Sequence, residues 1–172
     1  MIAAVVLAAG AATRFGAPKQ QLLIDDVLER VEAAQLDEVV VVEGAHRLEP
    51  GTAAARVVSC PDWEQGPGAS LRCGLAALSP AVEAAVVVLA DGPDLSAAAI
   101  RRVVESWRSS GERVVAASYG GERGHPVVLD RRAWADVPDE GLRGWAPHLV
   151  ACDDLGSPGD VDTPADLPER FR

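Results

Sequence analysis

The sequence predicts an α/β protein in three layers, a mostly parallel sheet with helices on both faces. Two observations carry this. Four short runs, Ile2–Ala8, Val39–Val42, Val86–Ala90 and Val114–Ala117, are rich in Val and do not alternate with polar residues, which is the pattern of strands buried on both faces. Between them lie segments with apolar residues at helical spacing, so strands and helices alternate and right-handed crossovers follow. The chain has 172 residues, a length that fits one domain over residues 1–172 with a core of its own.

The elements follow in order. Ile2–Ala8 is the first strand, and Val27, Leu28, Val31 and Ala34 form the apolar face of the first helix. Val39–Val42 is the second strand. The chain enters a second helix near Ser70, with Leu71, Leu75 and Leu78 on its face, before the strand at Val86–Ala90. Leu95, Ile100, Val103, Val104 and Trp107 mark the third helix, and Val114–Ala117 the fourth strand. Pro and Gly gather in Gly120–Pro126, Pro138–Pro147 and Gly156–Pro168, which read as loops around short elements. Aromatics are 4% of the chain against 48% hydrophobic residues, so Ala, Val and Leu must build the core.

Lys and Arg number 16 against 26 Asp and Glu, a net charge of −10. Such acidity argues against nucleic acid or an anionic membrane as partner, and an anionic substrate would need a local basic pocket. Cys60, Cys73 and Cys152 are odd in number and form no CxxC, so the expectation is three reduced cysteines packed as small hydrophobes. The apolar start, MIAAVVLAAG, lacks a basic region and a cleavage pattern, and no apolar run approaches the ~20 residues of a membrane span. A cytoplasmic location is expected.

In open α/β sheets ligands bind beyond the carboxyl ends of the strands. The first strand runs directly into Leu7-Ala8-Ala9-Gly10-Ala11-Ala12-Thr13-Arg14-Phe15-Gly16-Ala17-Pro18-Lys19-Gln20. Small side chains let backbone N–H groups approach phosphate oxygens. Arg14 can fork onto a phosphate and Lys19 can act as a point charge. The loop is neither a Walker A motif nor GxGxxG. The pattern LAAGxxxRFGxPKQ resembles the signature of the nucleotidylyltransferases that act on the molybdenum cofactor, most of all their cytidylyltransferase branch. Further segments agree in order: Pro61-Asp62-Trp63-Glu64-Gln65-Gly66 with Ser70-Leu71 and Gly74-Leu75, Leu89-Ala90-Asp91-Gly92-Pro93, Gly124-His125-Pro126, and Asp160-Val161-Asp162-Thr163-Pro164-Ala165-Asp166-Leu167.

The resemblance implies the Rossmann-like fold of nucleotide-diphospho-sugar transferases and a nucleotide site formed by Leu7, Ala8, Ala9, Gly10, Arg14, Lys19, Gly68, Ser70 and Asp91, with Lys19 and Arg14 as the catalytic cations. It implies Mg²⁺ on Asp91 and Asp162, with Asp160 a neighbour, and an acceptor side near His125 and Arg143. Each residue also has a plainer reading. Asp91 could be an N-cap or turn residue, given Pro93 and Asp94 nearby. Ser70 could cap the second helix, Trp63 could serve packing, His125 could be structural, and Arg143 could be a solvated surface cation. Thr163-Pro164-Ala165-Asp166 reads as a capping box, which makes Asp166 structural.

The implied reaction moves CMP from CTP onto the terminal phosphate of a molybdopterin-type acceptor and releases pyrophosphate, with a molybdoenzyme or chaperone as further partner. A phosphate nucleophile is ionised at neutral pH and needs no general base, so positioning and charge neutralisation carry the reaction. The alternatives are GMP transfer to molybdopterin, transfer to a sugar phosphate, or a nucleotide-binding chaperone without activity. The sequence departs from the family in a shortened stretch after Leu22-Leu23, in Gly92 where LADQP has Gln, and in Cys60 where Asn is usual. Ala9, where guanylyl-transferring relatives have a second Gly, favours CTP.

Overall fold

The computed structural model describes residues 1–172. Its strands are β1 (Ile2–Ala8), β2 (Glu38–Glu43), β3 (Arg56–Ser59), β4 (Ala84–Leu89), β5 (Val114–Tyr119), β6 (Glu122–Asp130) and β7 (His148–Ala151). Its α-helices are α1 (Lys19–Ala33), α2 (Pro67–Ala77) and α3 (Ala97–Ser110). All seven strands form one sheet in the order β3-β2-β1-β4-β6-β5-β7. Every neighbouring pair is parallel except the two made by β6. The three-layer, mostly parallel α/β arrangement expected from the Val-rich runs is the one observed.

Alternation of side chains along each strand divides the core in two. Ala4, Val6, Val41, Val86 and Val88 pack with Ile24, Val27, Leu28 and Val31 of α1 and with Ile100 and Val103 of α3. Ala3, Val5, Val40, Val42 and Val87 pack on the opposite face with Leu71 and Leu75 of α2. At roughly 1.5–3 kcal/mol per fully buried aliphatic side chain, these two layers hold the sheet rigid beneath its loops. No helix is long and apolar enough to cross a membrane.

Three strands lie outside the sequence expectation. The segment Gly120–Pro126 is not a loop. Gly120 and Gly121 alone make the turn, both with positive φ (60° and 81°), as a tight hairpin requires. β6 begins at Glu122 and runs antiparallel between β4 and β5. β3 and β7 are four-residue edge strands. α2 starts at Pro67, with Gly66 before it, so Ser70 sits inside the first turn and is not the cap. The cysteine expectation is also corrected. Cys60 and Cys73 form a disulfide with Cα atoms 5.8 Å apart, tying the end of β3 to α2, while Cys152 is free and buried.

In β1 and β4 the last paired residues are Leu7 and Leu89, so the segments that follow both strands leave from the same edge. Because β6 is antiparallel, its first residues, Arg123 to His125, lie at that edge too.

Candidate active site

The segment after β1 folds back on itself before α1. The amides of Phe15 and Gly16 donate to Ala12 O at 3.0 and 3.2 Å, and Ala12 takes a positive φ of 52°. Gln20 Nε2 donates to Gly10 O at 3.2 Å, and a ring nitrogen of His46 lies 3.0 Å from Ala11 O. The loop is thus tied to α1 and to the segment after β2. Lys19 is the first residue of α1 and is 6% exposed.

Lys19 is buried because its ammonium has partners on three sides. Nζ stands 3.1 Å from Asp91 Oδ2 and 3.5 Å from Asp162 Oδ1, and it donates a short hydrogen bond to Val161 O. Arg14 Nη1 lies 2.8 Å from the other oxygen of Asp162. Asp91 follows β4, and the carboxyl-terminal segment is pinned beside it. Val161 N donates to Asp91 O at 3.0 Å, and Asp94 N to Pro158 O at 2.9 Å. Asp91 caps no helix, because Ser96 is the N-cap of α3 and accepts from Ala99 N at 3.4 Å. Asp166 is structural, as read from the sequence, accepting from Thr163 N and Oγ1 at 2.7 and 2.8 Å. Burial first, then the Asp91 and Asp162 charges, push the Asp160 carboxyl above the usual range. The Lys19 and Arg14 charges act in the opposite direction.

Two cavities open at this edge and share Leu7, Pro67 and Leu89. The first, about 360 Å³, is lined by Leu7, Ala8, Ala9, Gly10, Ser70 and Asp91 from the predicted set. Gln20, Trp63, Gly66 and Pro67 also line it and were not assigned to it from sequence. Trp63 packs against the core as well, as expected. Gly68 is not in the lining. Its N–H donates to Asp139 O at 2.9 Å, and a Cβ there would fall on the Pro138 carbonyl oxygen. Gly68 therefore serves close packing of α2 against the 138–141 loop.

The second cavity, about 350 Å³, has an apolar floor of Leu7, Leu71, Val87 and Leu89 and a polar wall of Arg123, His125, Glu140 and Arg143. The structure thus brings His125 and Arg143 together in one lining. Burial, and secondarily the Arg123 charge, push the His125 imidazole down to about 4, with Asp91 opposing weakly. His125 is therefore neutral at physiological pH. Arg123 was not singled out from sequence, since a cation at the start of a strand carries no signal until the tertiary fold turns it inward.

Residues 4–145 match the MobA-like NTP transferase domain. The chain belongs to that family. This nucleotidyltransferase is 28% identical to Rv0371c from Mycobacterium tuberculosis H37Rv, with a TM-score of 0.78 over 96% of this chain and 94% of that one. A second structure of Rv0371c, a complex with manganese, aligns at 24% identity and a TM-score of 0.71, over 99% and 95% of the two chains. A nucleotidyl transferase from Methanothermobacter thermautotroptrophicus shares the fold at 20% identity and a TM-score of 0.74, over 96% and 94%. Among curated proteins none matches the chain. Lys19 and Asp91 fall inside the family match and Asp162 beyond it, yet the fold sets all three together.

Proposed function

We propose that this nucleotidyltransferase moves CMP from CTP onto the terminal phosphate of a molybdopterin-type acceptor and releases pyrophosphate. The observation that carries the reading is the convergence of Asp91 and Asp162 on the buried ammonium of Lys19, with Asp91 also lining the first cavity beside the small residues Ala8, Ala9 and Gly10. The first cavity fits the nucleotide. Ala8, Ala9 and Gly10 let the base and ribose lie against backbone, and Ser70 offers a hydroxyl to the base. The second fits the acceptor, its apolar floor facing a planar ring and its polar wall the acceptor's oxygens and nitrogens.

Asp91 and Asp162 suit a divalent cation. They are hard oxygen donors, they already share one positive charge in Lys19, and a third carboxylate, Asp160, lies near enough to feel both of their charges. Mg²⁺ takes few protein carboxylates and completes its shell with phosphates and water, so two carboxylates suffice. Mg²⁺ would supply charge neutralisation across the triphosphate. The manganese in the Rv0371c complex supports divalent metal use in this fold. Lys19 and Arg14 move from their carboxylates onto phosphate oxygens when nucleotide enters. There they offset the charge that grows on the α-phosphate and on the departing pyrophosphate, the kind of stabilisation worth about 10²–10³ in rate per donor. His125, being neutral, offers a hydrogen bond to the acceptor without adding charge, and Arg143 meets the acceptor at the exposed rim.

A thermal-shift series with the four nucleoside triphosphates and Mg²⁺ tests the nucleotide assignment. CTP should stabilise most, by about 2.7 kcal/mol at 100 times its dissociation constant. Equal or greater stabilisation by GTP would move the assignment to guanylyl transfer.

A further inference from the structure

Arg123 is the half-buried cation of the acceptor wall. Arg123 stands at the start of β6, opposite Ser118 of β5. Its Nη1 donates to two backbone carbonyls, Leu142 O at 2.6 Å and Trp145 O at 3.2 Å. Those bonds hold the guanidinium plane fixed and use both protons of one nitrogen. The opposite edge, Nε with Nη2, has no protein partner. Arg123 forms no ion pair, although Glu140 lines the same cavity, and burial disfavours its charge. Nearly every other cation in this acidic protein is matched to a carboxylate or spread over solvent. Arg123 lines a cavity of about 350 Å³, and a half-buried guanidinium anchored through Nη1 keeps a free two-donor edge of the kind that forks onto two oxygens of one phosphate.

We propose that the Nε–Nη2 edge of Arg123 docks the phosphate of the acceptor, holding two of its oxygens while the third faces the nucleotide cavity. This rests on the nucleotidyl-transfer reading and gives it a specificity: the acceptor is a phosphomonoester whose apolar or planar body lies on Leu7, Leu71 and Leu89. The neutral His125 beside Arg123 can donate to the same phosphate without competing for charge. Because Arg123 is separate from Arg14 and Lys19, acceptor phosphate and nucleotide triphosphate have different cations and bind together.

The test uses phenyl phosphate as the probe, titrated into the full chain saturated with α,β-methylene-CTP and Mg²⁺, so that Arg14 and Lys19 are occupied. Arg123→Met should weaken the probe roughly 10- to 100-fold and leave the affinity for the nucleotide analogue unchanged. Arg123→Lys should recover only part of the loss, since an ammonium cannot fork. If Arg123→Met does not fold, the ¹⁵Nε–¹H resonance of Arg123 in the wild-type protein should shift on adding phenyl phosphate, a signal that a purely structural arginine would not give. Unchanged probe affinity in a folded Arg123→Met protein, no shift of that resonance, or no measurable probe binding by the wild type overturns the proposal. Failure of the nucleotide analogue to bind overturns the nucleotidyl-transfer reading instead. The same titration on the free protein then still decides whether Arg123 binds a phosphomonoester.

Discussion

The ammonium of Lys19 stands 3.1 Å from a carboxylate oxygen of Asp91 and 3.5 Å from one of Asp162, so a single buried cation joins the end of β4 to the carboxyl-terminal segment. Lys19→Ala should lower turnover by about 10²–10³-fold, because the donor lost acts mainly on transition-state charge. The fold should survive, since the two carboxylates left behind are partly exposed and can be hydrated. Steady-state pyrophosphate release beside a far-ultraviolet circular dichroism spectrum reads both outcomes, and near-normal turnover in a folded variant would remove Lys19 from the chemistry.

Asp91→Asn and Asp162→Asn should behave alike in one respect and differ in another. Both should abolish the extra thermal stabilisation that Mg²⁺ adds to bound nucleotide. Asp162→Asn should also free Arg14, whose side chain is 74% exposed and whose structural partner is Asp162. An ion pair that exposed is worth at most about 1 kcal/mol, and the buried Lys19, which also loses the Asp162 charge at 3.5 Å, keeps Asp91 and the Val161 carbonyl as partners, so the metal-free Asp162→Asn protein should unfold within a few degrees of wild type. Retained Mg²⁺ dependence in both variants would assign these carboxylates to structure alone.

His125 sets a pH dependence. Its folded pKa of about 4 lies below the ~6.5 of an unfolded chain. Between these values the unfolded state binds a proton that the folded state refuses, so stability falls as pH is lowered through the window, by up to ~1.4 kcal/mol per unit. His125→Gln should flatten the wild-type curve between pH 6.5 and pH 4 and leave stability above pH 7 little changed in slope. Parallel curves from denaturant unfolding would show that the folded state does not disfavour protonation of His125.

Gly68→Ala should be far more harmful than Gly144→Ala. A Cβ at Gly68 falls on the Pro138 carbonyl oxygen, whereas at Gly144 it meets open space. Overpacking costs of about 1–3 kcal/mol are the expected floor for Gly68→Ala, because the obstacle is backbone and cannot swing aside. Equal midpoints in urea for the two variants would contradict the packing of α2 against the 138–141 loop.

The parts of the fold legible in the sequence are those where one signal dominates. β1, β2, β4 and β5 announce themselves as Val runs because both their faces are buried. β6 does not, because its first half, Glu122 to His125, is only partly buried and carries polar residues and glycine, while apolar residues fill the second half. β3 and β7 are short, partly exposed edges with little hydrophobic pattern to read. In the site, motif resemblance points to Lys19, Asp91 and Asp162, and the structure joins them. Gln20 and Arg123 carry no such signal, because their placement depends on what the fold sets opposite them. The packing of Gly68 under the Pro138 carbonyl is equally silent, since a glycine near a binding loop and a glycine under a neighbouring backbone look the same in one dimension. The Cys60–Cys73 pairing left no trace either, since an odd cysteine count gives no connectivity.

The central claim is nucleotidyl transfer at the Lys19, Asp91 and Asp162 centre, and the most direct measurement follows the α-phosphate. Full-length protein is incubated with α-³²P-labelled CTP, Mg²⁺ and molybdopterin, and both labelled product and pyrophosphate are quantified. The account predicts one pyrophosphate released per label transferred, suppressed by chelation of the metal and reduced about 10²–10³-fold in Lys19→Ala. Absence of transfer from every nucleoside triphosphate, or transfer at an equal rate by Lys19→Ala, would contradict it.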